Sequence, residues 1–241
     1  QEFTFDDLFG GNPEAYTFAV DLPTSMPGGP HDPVTFLGAS PELLVALRDG
    51  RITVNPLAGT RPRHPEPGTD RELAGELMGS AKDRHEHHLV VEHITRRLAP
   101  LCDRLEVPDE PELLGTSDAW HLSTVIRATP ADPGITSLRL AQAMHPTPAV
   151  CGTPTDAAAG LIRGIESVER GWYAGAVGWC DARGDGEWVV ALRCALVWQH
   201  RARLYAGVGV VPGSDPHDEL AETSTKFRTA LFGLGFEPPA R

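Results

Sequence analysis

The sequence predicts an α+β fold in which two antiparallel β-sheets pack together, with helices at their flanks. Strand-like segments dominate both ends of the 241-residue chain and helical spacing dominates its middle. This order differs from the regular strand–helix alternation of a parallel α/β sheet. The number of strands favours two sheets over one. Because no internal repeat or low-complexity tract divides the chain, we expect a single domain over residues 1–241.

Short apolar strands and turn signals make up the first part of the chain. Ala15–Val20 and Val34–Leu37 are predicted strands on either side of a Pro- and Gly-rich loop. Leu43–Leu47 and Arg51–Val54 are expected to form a hairpin, because an Asp-Gly pair between two strands is a strong turn signal.

Helical spacing is typical of the middle of the chain. One long helix is predicted from about Asp70 to Leu105, ended by the Pro and acidic cluster Val107–Pro111. Alternation from Trp120 to Ile126 predicts a strand. Helical spacing returns at Ser137–Met144 and Thr155–Ser167.

A three-stranded meander and a final helix are predicted for the last part of the chain. The meander covers Tyr173–Val211, with turns at Arg183–Gly186 and near His200–Arg201. The helix covers about Pro216–Phe232, and Asp215 has the residue type and position of its N-cap.

Charge and composition exclude several classes of function. The formal net charge of −12 is the wrong sign for a protein that binds nucleic acid through phosphate contacts. We expect no membrane partner, since no apolar run approaches the roughly 20 residues of a membrane-spanning helix. The four cysteines form neither a CxxC pair nor a disulfide framework, which predicts a cytoplasmic protein. The missing initiator Met suggests a fragment of a longer protein.

Two familiar motifs are incomplete. The segment 85–89 has Leu89 where the zinc-protease motif HExxH needs its second histidine. The segment 207–212 begins like a dinucleotide-binding fingerprint, but Pro212 replaces the third glycine. We therefore exclude zinc hydrolysis and dinucleotide binding.

Glu86 is the first residue that suggests a site. It stands at helical steps from Val90 and Ile94, which places its carboxylate on or beside an apolar stripe. A carboxylate on the buried side of a helix needs a partner.

The last helix offers further carboxylates. Glu219, Glu222 and Lys226 share one of its faces, next to Leu220, which we expect to face the core. Together with Glu86, these carboxylates suit a hard cation such as Mg²⁺. The residues alone favour the alternative, a solvated acidic face with an ordinary Glu222–Lys226 pair.

Positively charged residues suggest an anion pocket. Arg193 is expected within a strand over Trp188–Val197, facing the core, and the glycines Gly207 and Gly209 allow close approach of a carboxylate to the backbone. An ion pair between Arg193 and a core acid is an equal alternative. Among 21 cationic residues only Lys82 and Lys226 are lysines, which marks both as candidates for a specific role.

Glu42 is a candidate general acid. It precedes a strand in apolar surroundings, and desolvation raises the pKa of a carboxyl group. A carboxyl that stays protonated near neutrality can act as an acid, whereas an ordinary glutamate on an edge strand is the alternative. His121 could bond a substrate or simply fill a core position.

These segments together resemble the chorismate-utilising enzymes, and most closely the isochorismate synthases of siderophore pathways. The resemblance covers nearly the whole chain in order, through Leu37–Leu43, Pro56–Thr60, Lys82–His87, Trp120–Leu122, His145–Gly152, Tyr173–Gly175, Gly178–Trp179, Gly186–Trp188, Ala206–Val211 and Glu219–Thr223 with Lys226.

The resemblance implies a chorismate-binding fold and a Mg²⁺-dependent isomerase that adds water at C2 of chorismate and expels the C4 hydroxyl. It makes Glu42 the general acid and assigns Mg²⁺ to Glu86 and Glu222, with Glu219 acting through water. The substrate-binding residues that it implies are Gly59, Thr60, His121, Thr147, Ala149, Tyr173, Arg193, Gly207, Gly209 and Lys226.

One departure leaves alternatives open. In the family, the general base is a lysine on an upstream strand, and this sequence has no counterpart. We favour the C-terminal portion of a longer enzyme over a module that only binds chorismate. The segment His145–Val150 resembles isochorismate synthases more than the amine-forming enzymes, while Tyr173 and Leu192 are also compatible with a salicylate synthase. We expect a monomer with chorismate as its partner.

Overall fold

The computed structural model describes residues 15–23, 33–117 and 119–233. Most of the loop predicted between the first two strands lies outside them. The elements are β1 (Tyr16–Leu22), β2 (Val34–Ser40), β3 (Leu43–Arg48), β4 (Arg51–Asn55), β5 (Leu57–Pro62), α1 (Pro67–Gly79), α2 (Ala81–Leu98), β6 (Cys102–Glu106), β7 (Glu112–Gly115), β8 (Ala119–Ser123), β9 (Ile126–Pro130), α3 (Ser137–Met144), α4 (Thr155–Ile165), β10 (Ala176–Cys180), β11 (Gly186–Val190), β12 (Cys194–Trp198), β13 (Arg201–Tyr205) and α5 (Pro216–Gly233).

The strands form antiparallel sheets, which confirms the predicted α+β class. Four strands make one sheet in the order β1-β2-β12-β13, and six make another in the order β10-β11-β3-β4-β9-β6. Three more strands form a smaller sheet in the order β5-β8-β7. The predicted hairpin of β3 and β4 is present, with Arg48 paired to Arg51 across the turn.

The third sheet, which we did not expect, continues the β4–β9 ladder beyond a break. Val54 pairs with Ile126 on one side of that break, and Leu57 pairs with Ser123 on the other. Pro56 lies between β4 and β5. Because proline has no N–H to donate, the hydrogen-bond ladder is interrupted there and the two strands continue in a separate sheet.

The single helix predicted for 70–105 is wrong at two places. The chain is extended at Ser80, with φ −73° and ψ 113°, and the Ser80 hydroxyl accepts a hydrogen bond from the amide of Asp83 as the N-cap of α2. A serine three residues before an acidic residue was the signal for this second start. From Cys102 onwards the chain is strand β6, which pairs with β9.

The predicted meander over 173–211 is also wrong, although its two turns are where we expected them. It contains four strands, and β10–β11 belong to the six-stranded sheet while β12–β13 belong to the four-stranded sheet. The chain crosses between the sheets at 191–193. Arg193 lies in this crossing with φ 47°, not within a strand as predicted.

Helix α2 covers one face of the six-stranded sheet. Its buried residues Val90, Ile94 and Leu98 belong to the same core cluster as Val45 and Ile126. Burial of this apolar stripe fixes the helix on the sheet, and Glu86 lies one turn before Val90. Among the described residues, none of the helices combines the length and apolar character needed to cross a membrane.

Candidate active site

A cavity lies where α2, α5, the start of β3, β5, β8 and the segment after β13 come together. It brings together twelve of the fourteen site residues predicted from the sequence. They are Glu42, Gly59, Thr60, Glu86, His121, Ala149, Tyr173, Arg193, Gly207, Gly209, Glu222 and Lys226. Residues from both ends of the chain therefore form one site.

Glu42 enters this cavity from the short connection between β2 and β3. The residue is 3% exposed. Burial raises the pKa of its carboxyl group to about 8, against smaller lowering effects of the Lys226 charge and of a hydrogen bond from the Leu57 amide. The Glu42 carbonyl accepts a hydrogen bond from the Val190 amide at 3.1 Å. The site therefore contains a fixed carboxyl group that is protonated near neutral pH.

His121 and Arg193 form a buried hydrogen-bonded pair. Nη2 of Arg193 lies 2.9 Å from Nε2 of His121, and Nδ1 of His121 lies 3.3 Å from Oγ1 of Thr60. A guanidinium only donates, so Nε2 accepts and the proton of the neutral ring is on Nδ1. Burial, followed by the Arg193 charge, holds the pKa of His121 well below its usual value. His121 is therefore neutral and orients Arg193.

The backbone after β13 approaches the carboxylates closely, which explains its glycines. A Cβ atom on Gly209 would collide with Oε1 of Glu86, and one on Gly207 would lie 2.7 Å from the hydroxyl oxygen of Tyr173. A side chain at either position would displace the Glu86 carboxylate or the Tyr173 hydroxyl from its place in the cavity. The carbonyl of Gly207 accepts a hydrogen bond from Nζ of Lys226 at 3.1 Å.

Two carboxylates face the same space from two helices. Burial, and next the charge of Glu222, raises the pKa of Glu86 to about 7. The negative charge of Glu222 disfavours ionisation of Glu86, which is the second cause of this rise. Oε1 of Glu222 pairs with Nζ of Lys226 at 2.7 Å, with both side chains about one-fifth exposed.

Two predicted site residues lie outside this cavity. Glu219 faces an adjacent space that shares only Thr60 and Glu222 with the cavity, and its Oε1 lies 2.5 Å from Nζ of Lys82. Thr147 is fully buried. Leu220, expected in the core, is 65% exposed, because the α5 face that carries it points away from the packed side.

The donor set fits a magnesium ion shared with a substrate. Within the described ranges, no group of three or more His, Cys, Asp or Glu side chains is arranged to hold a metal. Mg²⁺, however, is commonly bound by one or two carboxylates, with substrate oxygens and water completing its shell. Glu86 and Glu222, which both line the cavity, are the two carboxylates that could hold such an ion.

Sequence reasoning missed Arg170, which also lines the cavity. The available signal was its position three residues before Tyr173, which had already been assigned to the site. It lies in the connection between α4 and β10, where no periodicity predicts the direction of a side chain.

Comparisons with known proteins show the family of this chain. A family model described as chorismate binding enzyme matches residues 6–235. Isochorismate synthase DhbC of Bacillus subtilis is 52% identical over 94% of this chain and 56% of its own. The vibriobactin-specific isochorismate synthase of Vibrio cholerae is 44% identical over 95% of this chain and 56% of its own. The chain thus spans little more than half the length of these relatives.

Solved structures show the same similarity. The isochorismate synthase DhbC of Bacillus anthracis superimposes with a TM-score of 0.92 at 47% identity, over 97% of this chain and 61% of that one. Anthranilate synthase component I of Streptococcus pneumoniae superimposes with a TM-score of 0.75 at 28% identity, over 93% of this chain and 48% of that one.

Proposed function

Because the chain belongs to the family of chorismate binding enzymes, we propose that it catalyses the isomerisation of chorismate to isochorismate. The observation that carries the proposal is Glu42, a buried carboxyl group with a pKa of about 8 inside a cavity that also holds cations and a carboxylate pair. The names of the isochorismate synthases at 40–52% identity support the choice of this reaction within the family.

Glu42 acts as the general acid in this proposal. Water adds at C2 of chorismate, and the C4 hydroxyl leaves as a second water molecule after it accepts the Glu42 proton. The proton released by the attacking water balances the one that Glu42 gives up. A proton donor with a pKa near the working pH lowers the barrier to loss of hydroxide.

The cations of the cavity suit a substrate with two carboxylates. Arg193 is 8% exposed, and its charge is little screened by solvent. His121 holds it in place through Nε2. Lys226 adds a second cation, held between Glu222 and the carbonyl of Gly207. We propose that these two side chains orient chorismate with its C4 hydroxyl towards Glu42.

Glu86 and Glu222 would hold the Mg²⁺ ion. Mg²⁺ bound there would neutralise and orient a substrate carboxylate. Without that charge the two glutamates would repel an anionic substrate, as they already repel each other. Glu219 is placed to support the arrangement indirectly, because its pair with Lys82 joins the start of α2 to the start of α5.

The general base is not one of the two lysines of this chain. Lys82 and Lys226 are both engaged in ion pairs, with Glu219 and Glu222 respectively, so neither side chain is placed to activate a water molecule. We propose that the base comes from polypeptide that precedes this chain in the native enzyme, as the family resemblance implies.

The proposal is tested by product analysis of the native full-length enzyme with chorismate and Mg²⁺. We expect isochorismate by liquid chromatography. Salicylate with pyruvate would identify a salicylate synthase instead, an amine product with added ammonia would identify an amine-forming enzyme, and binding without turnover would identify a non-catalytic module. Each of these three outcomes contradicts the proposal.

We further propose that the product supplies catechol siderophore synthesis in the cytoplasm and that the enzyme is a monomer. The vibriobactin-specific relative supports the pathway, and the four free cysteines are in keeping with a reducing compartment. Deletion of the gene should abolish catechol secretion under iron starvation, and light scattering should give the monomer mass. Normal secretion or a dimer mass would contradict these two points.

A further inference from the structure

The guanidinium of Arg170 joins three segments at one wall of the cavity. Its Nε and Nη2 donate to the two carboxylate oxygens of Glu166 at 2.9 and 2.6 Å. Its Nη1 donates to the carbonyl of Val150 at 2.5 Å. Glu166 is the C-cap of α4, and Val150 lies in the segment that follows α3. The side chain therefore links the end of a helix to a cavity-lining loop.

The same guanidinium lies against the ring of Tyr173. Its central carbon is 5.7 Å from the ring centroid, within the distance of a cation–π contact. The Tyr173 ring also stacks on the ring of Tyr205, with centroids 5.3 Å apart and planes at 16°. The Tyr173 hydroxyl in turn lies beside the backbone of Gly207.

Arg170 thus reaches, directly or through one neighbour, each part of this wall. Val150, next to Ala149, is held through its carbonyl and Tyr173 through its ring, while Gly207 lies beside the tyrosine hydroxyl. All four line the cavity. Because the carboxylate of Glu166 fixes the plane of the guanidinium by a bidentate bond, the third bond and the ring contact have a defined direction.

We propose that Arg170 is a positioning residue for chorismate binding. It acts by holding the Ala149–Val150 segment and Tyr173 in the shape that the substrate meets. This inference rests on the proposed function for the identity of the substrate. The contacts of Arg170 with Glu166, Val150 and Tyr173 are present without substrate. Their role can therefore be tested in part without measuring turnover.

Lysine cannot replace arginine in this role. An ammonium group has no planar fork, so it cannot bond both oxygens of Glu166 and the Val150 carbonyl in the same geometry. Arg163, an exposed residue on α4 away from the cavity, is the matched control for loss of one arginine from the same region.

The experiment compares R170M, R170K, E166Q and R163M in the native full-length enzyme. Amide hydrogen exchange is measured at Val150, Cys151, Ala174 and Gly175, whose amides are hydrogen-bonded to neighbouring backbone. In parallel, KM and kcat for chorismate are measured. For R170M we expect faster exchange at these four amides and a KM raised about tenfold or more, since bonds of a charged group are lost, with kcat within threefold.

We expect R170K to fall between wild type and R170M, E166Q to show a smaller rise in KM with the same local exchange pattern, and R163M to match wild type. Wild-type exchange and KM in R170M would overturn the inference, as would a fall in kcat at unchanged KM. If R170M does not fold, E166Q decides between these results. If the wild-type enzyme makes no isochorismate, the proposed function fails, while the exchange data and the chorismate dissociation constant still decide the role of Arg170.

Discussion

Two glutamates of the same cavity, Glu42 and Glu222, have opposite environments. Glu42 comes from a strand connection and is almost completely buried, and burial raises the pKa of its carboxyl group to about 8. Glu222 comes from α5, is partly exposed and lies 2.7 Å from the ammonium of Lys226. Desolvation keeps Glu42 protonated, whereas Glu222 lies beside a cation. One cavity therefore holds two different carboxyl groups, which suit the acid and the metal ligand that we propose.

The difference originates in the elements that carry the two residues. The backbone of Glu42 is bonded to Val190 of the neighbouring strand, which fixes the point where its side chain enters the cavity, and the residue is buried there. On α5 the spacing of four residues brings Lys226 beside Glu222. Lys226 is also bonded to the Gly207 carbonyl, and its charge lowers the pKa of Glu42 by less than burial raises it.

The largest effect is expected from removing the acid. E42Q keeps the size of the side chain but cannot donate a carboxyl proton, so kcat should fall by about 10²–10⁴-fold, the usual contribution of a general acid. Chorismate binding should stay within severalfold, as measured by calorimetry. The matched control is E187Q, which removes a carboxylate of β11 that pairs with Arg48. Loss of binding without a change in kcat would contradict the acid role.

Replacing Glu86, a proposed metal ligand, should change the magnesium requirement. E86Q should raise the Mg²⁺ concentration for half-maximal activity at least about tenfold, because one of two carboxylate ligands is lost. Activity should partly return at high Mg²⁺. E92Q on the same helix, where Glu92 is exposed and pairs with Arg96, is the control. An unchanged requirement in E86Q would exclude Glu86 as a ligand.

The pH dependence of turnover should report the protonation of Glu42. Only the protonated form of Glu42 can donate, so kcat/KM should fall about tenfold per pH unit above its pKa of about 8. A pH-rate profile at saturating Mg²⁺ measures this limb. A profile that stays flat to pH 10 would mean that another group supplies the proton.

An effect on stability is also expected. The pKa of Glu42 is about 8 in the folded protein and near the ordinary glutamate value of 4.5 when unfolded. Between these values the folded state binds the extra proton, so this group lowers the free energy of unfolding as pH rises from 4.5 to 8 and has no further effect above 8. E42Q should remove this slope in urea unfolding. An identical slope in both proteins would show that Glu42 does not titrate in this way.

Much of the site could be predicted from the sequence because its residues have recognisable settings. Periodicity shows a glutamate before an apolar strand, a carboxylate on the stripe of α2 and a Glu–Lys pair on α5. The residues alone left ordinary surface glutamates as the alternative, and the roles came from the family resemblance. Arg193 was assigned to the pocket for the wrong reason, since it lies in a sheet crossing with φ 47°. Crossings between sheets and loop arginines such as Arg170 depend on tertiary contacts that no local pattern contains.

The break between α1 and α2 at Ser80 and the third sheet were also missed. Both depend on tertiary contacts that a local sequence pattern does not contain. The serine cap was visible as a motif, but the apolar stripe continues across it and masks the break. Pro56 is also visible in the sequence. Whether the chain ends its strand at a proline or continues as a strand of another sheet depends on the strands with which it pairs.

The most direct test is a measurement of the Glu42 pKa by ¹³C NMR of side-chain carboxyl groups in the full-length enzyme, with E42Q and E86Q used to assign the signals. We predict a carboxyl resonance that titrates near pH 8, is lost in E42Q and is retained in E86Q. A Glu42 resonance that titrates near pH 4.5 would contradict the account, because the group would then be ionised at neutral pH and unable to act as the acid.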